Sequence, residues 1–167
     1  MSRAFVKEGD GGLDPLPDLP QSSHPNYVTR RGLAALRARL LATQTSLAAL
    51  RARAERMDKL PEAAAERDIR YLEARLRSAI LVGPAAQNAS KVSFGHVVLV
   101  CDANGIRTRF EIVGEDEADA HHGRITPQSP LARAMIGAAV GDVLVWRKPS
   151  GGVELEILSI EFIDPPA

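Results

Sequence analysis

Residues 33–57 read LAALRARLLATQTSLAALRARAERM, and this stretch decides the fold of the N-terminal half of the chain. Apolar or small side chains recur in it at alternating steps of three and four. That spacing is the seam of a heptad coiled coil with one polar member, Thr43. No proline or glycine interrupts residues 33–60, so the pattern predicts a helix of about 28 residues, roughly 40 Å long. The seam positions are Leu33, Leu36, Leu40, Thr43, Leu47, Leu50, Ala54 and Met57.

A second segment continues the same seam after a very short turn. Pro61 stands where a new helix would begin, because its missing N–H is harmless in the first turn. Gly83-Pro84 ends the pattern. Two seamed helices in this order predict an antiparallel hairpin over residues 27–83, in which each helix covers the apolar stripe of the other. The seam positions of the second helix are Ala65, Ile69, Leu72, Leu76 and Ala79.

Beyond residue 92 the apolar period changes to two, which is typical of β-strands. Strands are predicted at His96–Cys101, Arg107–Val113, Val143–Arg147 and from Val153 onward. Asn104-Gly105 favours a hairpin turn between the first two strands. A phase change at Ile157-Leu158 suggests a β-bulge. Ser129 caps a short helix that ends near Ile136.

These elements predict an α+β chain. A coiled-coil helical hairpin precedes a small antiparallel-sheet domain with one short helix at residues 93–163. Residues 84–92 are predicted to be a linker. Residues 1–26 are rich in proline and glycine and poor in apolar side chains, which predicts a disordered tail.

Charge is distributed unevenly although the net charge of the chain is zero. Residues 27–59 carry eight Lys or Arg against two acids, and residues 93–167 carry eleven acids against six basic residues. This split favours two surfaces with different partners. The single cysteine, Cys101, and the lack of a signal or transmembrane pattern predict a cytoplasmic protein without membrane contact.

Three short motifs point to one family. The first is Ile112–Asp119, and the second is Ser129-Pro130-x-Ala-Arg133-Ala-x-x-Gly with Gly141-Asp142 close behind. The third, Tyr27-Val28-Thr29-x-x-Gly-Leu, leads into the first heptad helix. In these motifs the chain resembles the bacterial Gre transcript-cleavage factors of the GreA/GreB type. The resemblance covers roughly Phe94–Phe162 at the back of the chain.

The resemblance implies an FKBP-like C-terminal domain that docks on the rim of the secondary channel of RNA polymerase. The docking residues implied are Asp116, Glu117, Ser129, Pro130 and Arg133. The hairpin would enter the channel, and its tip would meet the nascent RNA 3′ end. The protein would be a monomer with no cofactor and no enzyme activity of its own. Two tip carboxylates would share an Mg²⁺ ion with the polymerase, whose active site would cleave backtracked RNA.

The tip of the hairpin fits the family pattern with one inserted residue. Asp58 and Glu62 then match the two acids that would position Mg²⁺, a hard cation that prefers oxygen ligands. Two alternatives stay open: Glu55 and Asp58 form the pair, or the acids only solubilise and cap the helix turn. The basic side chains Arg37, Arg51, Arg53 and Arg56 suit contact with an RNA backbone or the polymerase, or a solvated face.

Three other functions are compatible with the sequence. The chain could regulate the polymerase channel without stimulating cleavage. An FKBP-like domain could instead be a prolyl isomerase, but such sites need aromatic walls and the back half has few aromatic residues. Heptads alone would also suit a coiled-coil adaptor that never meets polymerase.

Overall fold

The N-terminal half is a helical hairpin, here called the arm. A computed structural model describes residues 14–55, 58–84 and 90–164. Helix α1 spans Arg30–Arg51 and helix α2 spans Leu60–Ser78. The two helices pack against each other along the predicted seam, where Leu36 and Leu72 are almost completely buried. The hairpin that the heptads predict is therefore confirmed.

Helix α1 ends earlier than the seam predicts. The helix stops at Arg51, so Ala54 lies in the connection between the helices, and Met57 lies outside the described residues. At about 1.5 Å per residue, the 22 residues of α1 give an arm of roughly 33 Å. Because α2 begins only at Leu60, a longer α1 would have no partner for its last apolar turn.

A short parallel sheet ties the two ends of the arm together at its base. Strand β1 is Tyr27–Val28, and strand β2 is Ile80–Leu81. Tyr27 pairs with Ile80, and Val28 pairs with Leu81. Two residues are too few to show a period of two, so the sequence pattern does not reveal this pairing.

The C-terminal domain is a five-stranded sheet in the order β5-β4-β3-β7-β6. The strands are β3 at His96–Asp102, β4 at Arg107–Ile112, β5 at Arg124–Ile125, β6 at Val143–Lys148 and β7 at Gly151–Phe162. All neighbouring pairs are antiparallel except β4 with β5. The register of β3 with β7 shifts beside Leu158, which confirms the predicted bulge.

One face of this sheet packs against helix α3, Pro130–Met135. The hydroxyl of Ser129 accepts a hydrogen bond from the backbone N–H of Ala132, as an N-cap residue does. Leu131 and Met135 are buried among the strands in one apolar core. The α+β architecture predicted from the sequence is confirmed, while the likeness to FKBP domains stays a prediction.

Two segments predicted to be irregular make specific contacts. The side-chain amide of Asn26 donates to the carbonyl of Arg75, which anchors the end of the predicted tail to α2. At the end of the predicted linker, Val92 is buried in the C-terminal core and its N–H donates to the carbonyl of Ala138. Among the described residues, no helix is long and apolar enough to cross a membrane.

Candidate functional site at the arm and the domain junction

The Ile112–Asp119 motif brings the sheet domain into contact with the base of the arm. Ile112 and Val113 are buried in the core, and Asp116, which follows them, is bonded to Arg75 of α2. The guanidinium Nε of Arg75 donates to Asp116 Oδ2 at 2.6 Å, and its Nη2 donates to Asn26 Oδ1 at 2.6 Å. The side chain of Arg75 is only 2% exposed, so this cation is neutralised inside the protein.

A second ion pair lies beside the first, on the α1 side of the arm. Arg31 donates to Glu117 through Nε and to Glu111 through Nη2. The hydroxyl of Thr29 donates to Glu117 Oε2 at 2.7 Å and accepts from the N–H of Gly32, capping α1. We call these two ion pairs, Arg75–Asp116 and Arg31–Glu117, the junction; Arg75 is buried, while the side chain of Arg31 is 45% exposed. They connect both helices of the arm to one loop of the sheet domain.

Two glycines allow the junction to close. A Cβ atom on Gly32 would lie 2.6 Å from Glu117 Oε2. A Cβ atom on Gly114 would overlap the carbonyl oxygen of Tyr27 in β1. Both glycines belong to the motifs that carry the family resemblance, one at each end of the chain, and the structure brings these motifs into contact.

Charge and burial shift the pKa values of groups at the junction. Burial alone would raise the pKa of Glu111, but the hydrogen bonds and charges of Arg31 and Arg109 outweigh it and hold the pKa below its usual range. Burial and the hydrogen bond to Asp116 raise the pKa of Tyr71. At neutral pH, Glu111 is therefore an ionised acceptor and Tyr71 is a protonated donor.

The structure gives Asp116 and Glu117 partners within the chain. Their side chains are only 10% and 7% exposed, and each is bound to an arginine of the arm. Their predicted role in docking to a polymerase stays a prediction. The sequence analysis does not single out Arg75, although an arginine next to the seam residue Leu76 is a usable signal.

The two predicted tip acids differ in their surroundings. Asp58 is exposed, and its Oδ1 accepts a hydrogen bond from the N–H of Leu60 at 2.9 Å, which helps to start α2. Glu62 lies in the first turn of α2 and is only 5% exposed. Glu55 is exposed in the connection between the helices. The structure thus brings three acids to the tip of the arm and presents two of them to solvent.

The predicted basic residues of the arm are exposed wherever they are described. Arg51 forms an ion pair with Glu66 across the hairpin at 2.6 Å. Arg53 donates to the carbonyl of Leu50 and so caps the end of α1. Arg37 has no ion pair within the described part of the chain, and Arg56 lies outside it.

The predicted docking residues on α3 present a different surface. Pro130 and Arg133 are exposed on the helix, while Ser129 is half-buried and engaged as its cap. Arg133 has no ion pair to another described residue, so its charge is available to an acidic partner. Because Arg133 is exposed and takes no part in the cap, it can be changed without disturbing the core.

His96 is a buried base in the same domain. It is fully buried at the start of β3, where its ring lies edge-on against Phe162. Its Nδ1 accepts a hydrogen bond from the N–H of Ser93, and its Nε2 has no hydrogen-bond partner in the described parts of the chain. Burial lowers the pKa of His96 below its ordinary value of 6.5.

We expect the stability of the protein to fall between pH 7.5 and pH 5.5. The unfolded chain takes up a proton on His96 near pH 6.5, while the folded chain resists it to a lower pH, so unfolding becomes more favourable as pH falls. Replacing His96 by Gln should flatten this dependence, and replacing the exposed His24 by Gln should not. Denaturant unfolding at both pH values measures the effect. An unchanged slope in His96→Gln would contradict it.

Comparisons with known proteins identify the class of the sheet domain. Residues 86–162 match the family model described as "Transcription elongation factor, GreA/GreB, C-term". The chain is 42% identical over 96 residues to transcription elongation factor GreA of Alkalilimnicola ehrlichii, which covers 56% of this chain and 61% of the relative. It is 41% identical over 99 residues to transcription elongation factor GreB of Neisseria meningitidis serogroup A, covering 59% and 61%.

A solved structure of the same type is also similar. The GreA/GreB factor from Nitrosomonas europaea is 20% identical, with 81% of this chain and 98% of that chain covered and a TM-score of 0.42. A TM-score this low supports no argument about the structure or function of this chain. The curated relatives are matched over about three fifths of their length.

The sheet domain with its capped helix α3 is therefore a GreA/GreB-type C-terminal domain. This domain matches the C-terminal domain of the GreA/GreB transcription elongation factors, the family that the motifs of the sequence resemble.

Proposed function

We propose that this protein binds bacterial RNA polymerase at the rim of its secondary channel and stimulates cleavage of backtracked RNA by the polymerase active site. One observation carries the proposal: a domain of the GreA/GreB class is joined through two ion pairs, one of them buried, to a two-helix arm. Such a connection holds the arm in a defined orientation to the sheet domain, so docking of the domain determines where the tip of the arm lies. The protein supplies no catalytic centre of its own in this mechanism.

The docking surface proposed is the exposed face of α3. Pro130 and Arg133 lie on this face, and the cap at Ser129 fixes the direction of the helix. A cation that forms no ion pair with another described residue suits an acidic patch on a partner and speeds its association. The arm would then enter the channel with its acids leading and its arginines along the sides.

Asp58 and Glu62 are the residues proposed to hold Mg²⁺ together with the polymerase. Carboxylate oxygens are the right ligands for this ion. The described residues contain no group of three or more potential ligands, so the remaining ligands would come from the polymerase and from water. When bound, the ion would stabilise the attacking and leaving oxygens of the phosphodiester.

Removing the tip acids should strongly reduce the stimulation of cleavage without loss of binding. We expect Asp58→Ala/Glu62→Ala to reduce the cleavage rate of a stalled, backtracked elongation complex by about 10²-fold, the effect of removing a group that stabilises transition-state charge. RNA shortening on a sequencing gel measures it. Glu55→Ala at the same turn tests the alternative pair, and unchanged cleavage in this variant would favour Asp58 and Glu62 over Glu55 and Asp58. Cleavage unchanged in the double variant would refute the assignment of the tip acids.

Glu62 gives a specific reason to consider a second function. Because this side chain is only 5% exposed, it would have to leave its buried position to reach a metal ion. A chain that binds the channel and leaves the RNA intact would need no such movement. The second candidate is therefore a channel regulator without cleavage activity. Binding by the wild-type protein without RNA shortening would favour this second candidate.

Reversing the charge of Arg133 should weaken docking. We expect Arg133→Glu to raise the Kd for core RNA polymerase by about tenfold, because an attractive contact becomes a repulsive one. The stability of the protein should change by less than about 0.5 kcal/mol, since the side chain is exposed. Arg107→Glu, on an exposed position of β4, is the control. Equal Kd values for the two variants would exclude α3 as the docking surface.

A further inference from the structure

The segment before the arm lies along α2. Residues 14–21, here called the strap, are exposed except for Leu16 and Leu19, which are half-buried. Pro15, Pro17 and Pro20 interrupt the segment. Prolines favour an extended backbone and lower the entropy lost when such a segment is held in place.

Arg70 of α2 binds the strap at two points. Its Nε donates to Asp18 Oδ1 at 2.7 Å, and its Nη2 donates to the carbonyl of Leu16 at 2.7 Å. A cleft of about 470 Å³ lies between the two segments, lined by Leu19 on one side and by Tyr71 and Ala74 on the other. The strap therefore covers the face of α2 that carries Arg70.

The position of the strap follows from the anchor at Asn26. Asn26 is bonded to the carbonyl of Arg75 and to Ser78 at the base of the arm. Arg70 lies five residues nearer the tip, about 7.5 Å along the helix. The strap thus runs from the base toward the tip, along the part of the arm that enters the channel under the proposed function.

We infer that the Arg70 face of α2 is an interaction surface for the polymerase and that the strap occupies this surface in the free protein. The contacts define its chemistry: an extended peptide with an acidic side chain between two leucines. An acidic, partly apolar segment of the polymerase wall would make the same contacts with Arg70. The strap must leave before the arm is fully seated, so it lowers affinity for the polymerase.

The expected strength of this competition is modest. The Asp18 carboxylate is 77% exposed and Arg70 is 38% exposed, so the ion pair between them is weak and screened by salt. A weak contact that is held close by a short, anchored chain still competes, because its effective concentration is high. Release of the strap from α2 is therefore a step that slows or weakens binding to the polymerase. The strap does not block this binding completely.

The experiment compares the Kd for core RNA polymerase of four chains. They are the wild type, a chain lacking residues 1–20, Asp18→Asn and Asp14→Asn. Asp14→Asn is the matched control, since it removes one acid of the strap that forms no ion pair with a described residue. The measurement is repeated at low and high salt. This inference rests on the proposed function. The four chains distinguish a failure of the inference from a failure of the proposed function.

We expect about three- to tenfold tighter binding for the truncated chain and about twofold tighter binding for Asp18→Asn, the range that a weak exposed ion pair allows. Asp14→Asn should bind like the wild type, and the advantage of Asp18→Asn should shrink at high salt. Equal or weaker binding of the truncated chain would overturn the inference, and so would equal effects of the two single variants. If no chain binds, the proposed function fails and the inference fails with it.

Discussion

Replacing Arg75 by alanine is expected to lower the free energy of unfolding by about 3 kcal/mol or more. The change removes a cation that is 2% exposed and leaves Asp116 with its charge buried and, among the described residues, only Tyr71 as a hydrogen-bond partner. It also removes the hydrogen bond to Asn26, which anchors the segment before β1. Removing one partner of a buried ion pair lowers stability more than replacing both partners by apolar residues, because one charge is left buried without a partner. Denaturant unfolding of the purified protein gives the value.

Two further variants are measured beside Arg75→Ala, one as a control and one to test its coupling to Asp116. Arg77→Ala, an exposed position on the same helix, should change stability by less than about 0.5 kcal/mol. Arg75→Ala/Asp116→Ala should be more stable than the sum of its two single variants predicts, because no unpaired charge remains. Wild-type stability in Arg75→Ala would show that the buried pair does not hold the arm to the domain.

Replacing Gly114 by alanine should lower the free energy of unfolding by about 2 kcal/mol or more. The added Cβ would overlap the backbone carbonyl oxygen of Tyr27, an atom with no flexible side chain to move aside. The strand β1 would have to shift, which strains the hydrogen bond from Ile80 N–H to the carbonyl of Asn26. Thermal unfolding and polymerase affinity should both change, since the junction controls the direction of the arm.

Gly83 provides the control for Gly114. A Cβ atom at Gly83 would meet nothing within 4 Å. Gly83→Ala should therefore leave stability unchanged or raise it by up to about 1 kcal/mol, through lower entropy of the unfolded chain. If the two variants behaved alike, close approach of β1 to the Ile112–Asp119 motif would not be needed for folding.

Much of the fold could be predicted because local patterns encode it. The heptad seam predicts the hairpin, Ser129 and Pro130 predict the start of α3, and Asn104-Gly105 predicts the turn between β3 and β4. In each case, residues close in sequence determine the structure. The end of α1 escaped prediction because nothing after Arg51 breaks a helix. The position at which α1 ends depends on where α2 begins to pack against it.

The junction could not be predicted because it depends on residues far apart in sequence. Arg75 and Asp116 are 41 positions apart, and Arg31 and Glu117 are 86 apart. A charged residue in a sequence is expected to be exposed, since burying a charge is unfavourable without a partner. Only the structure shows that each partner is present. The acids of the Ile112–Asp119 motif thus hold the arm, whatever they also contribute to docking.

The most direct test of the proposed function is to locate the tip of the arm on the polymerase. An iron chelate attached to Asp58→Cys in a Cys101→Ser background would generate hydroxyl radicals at that position in a backtracked elongation complex. We predict cuts in polymerase segments around the catalytic Mg²⁺ and near the RNA 3′ end. The same chelate at Gln128→Cys should cut the rim of the channel instead. Cuts from position 58 only on the outer surface of the polymerase, or none at all, would contradict insertion of the arm.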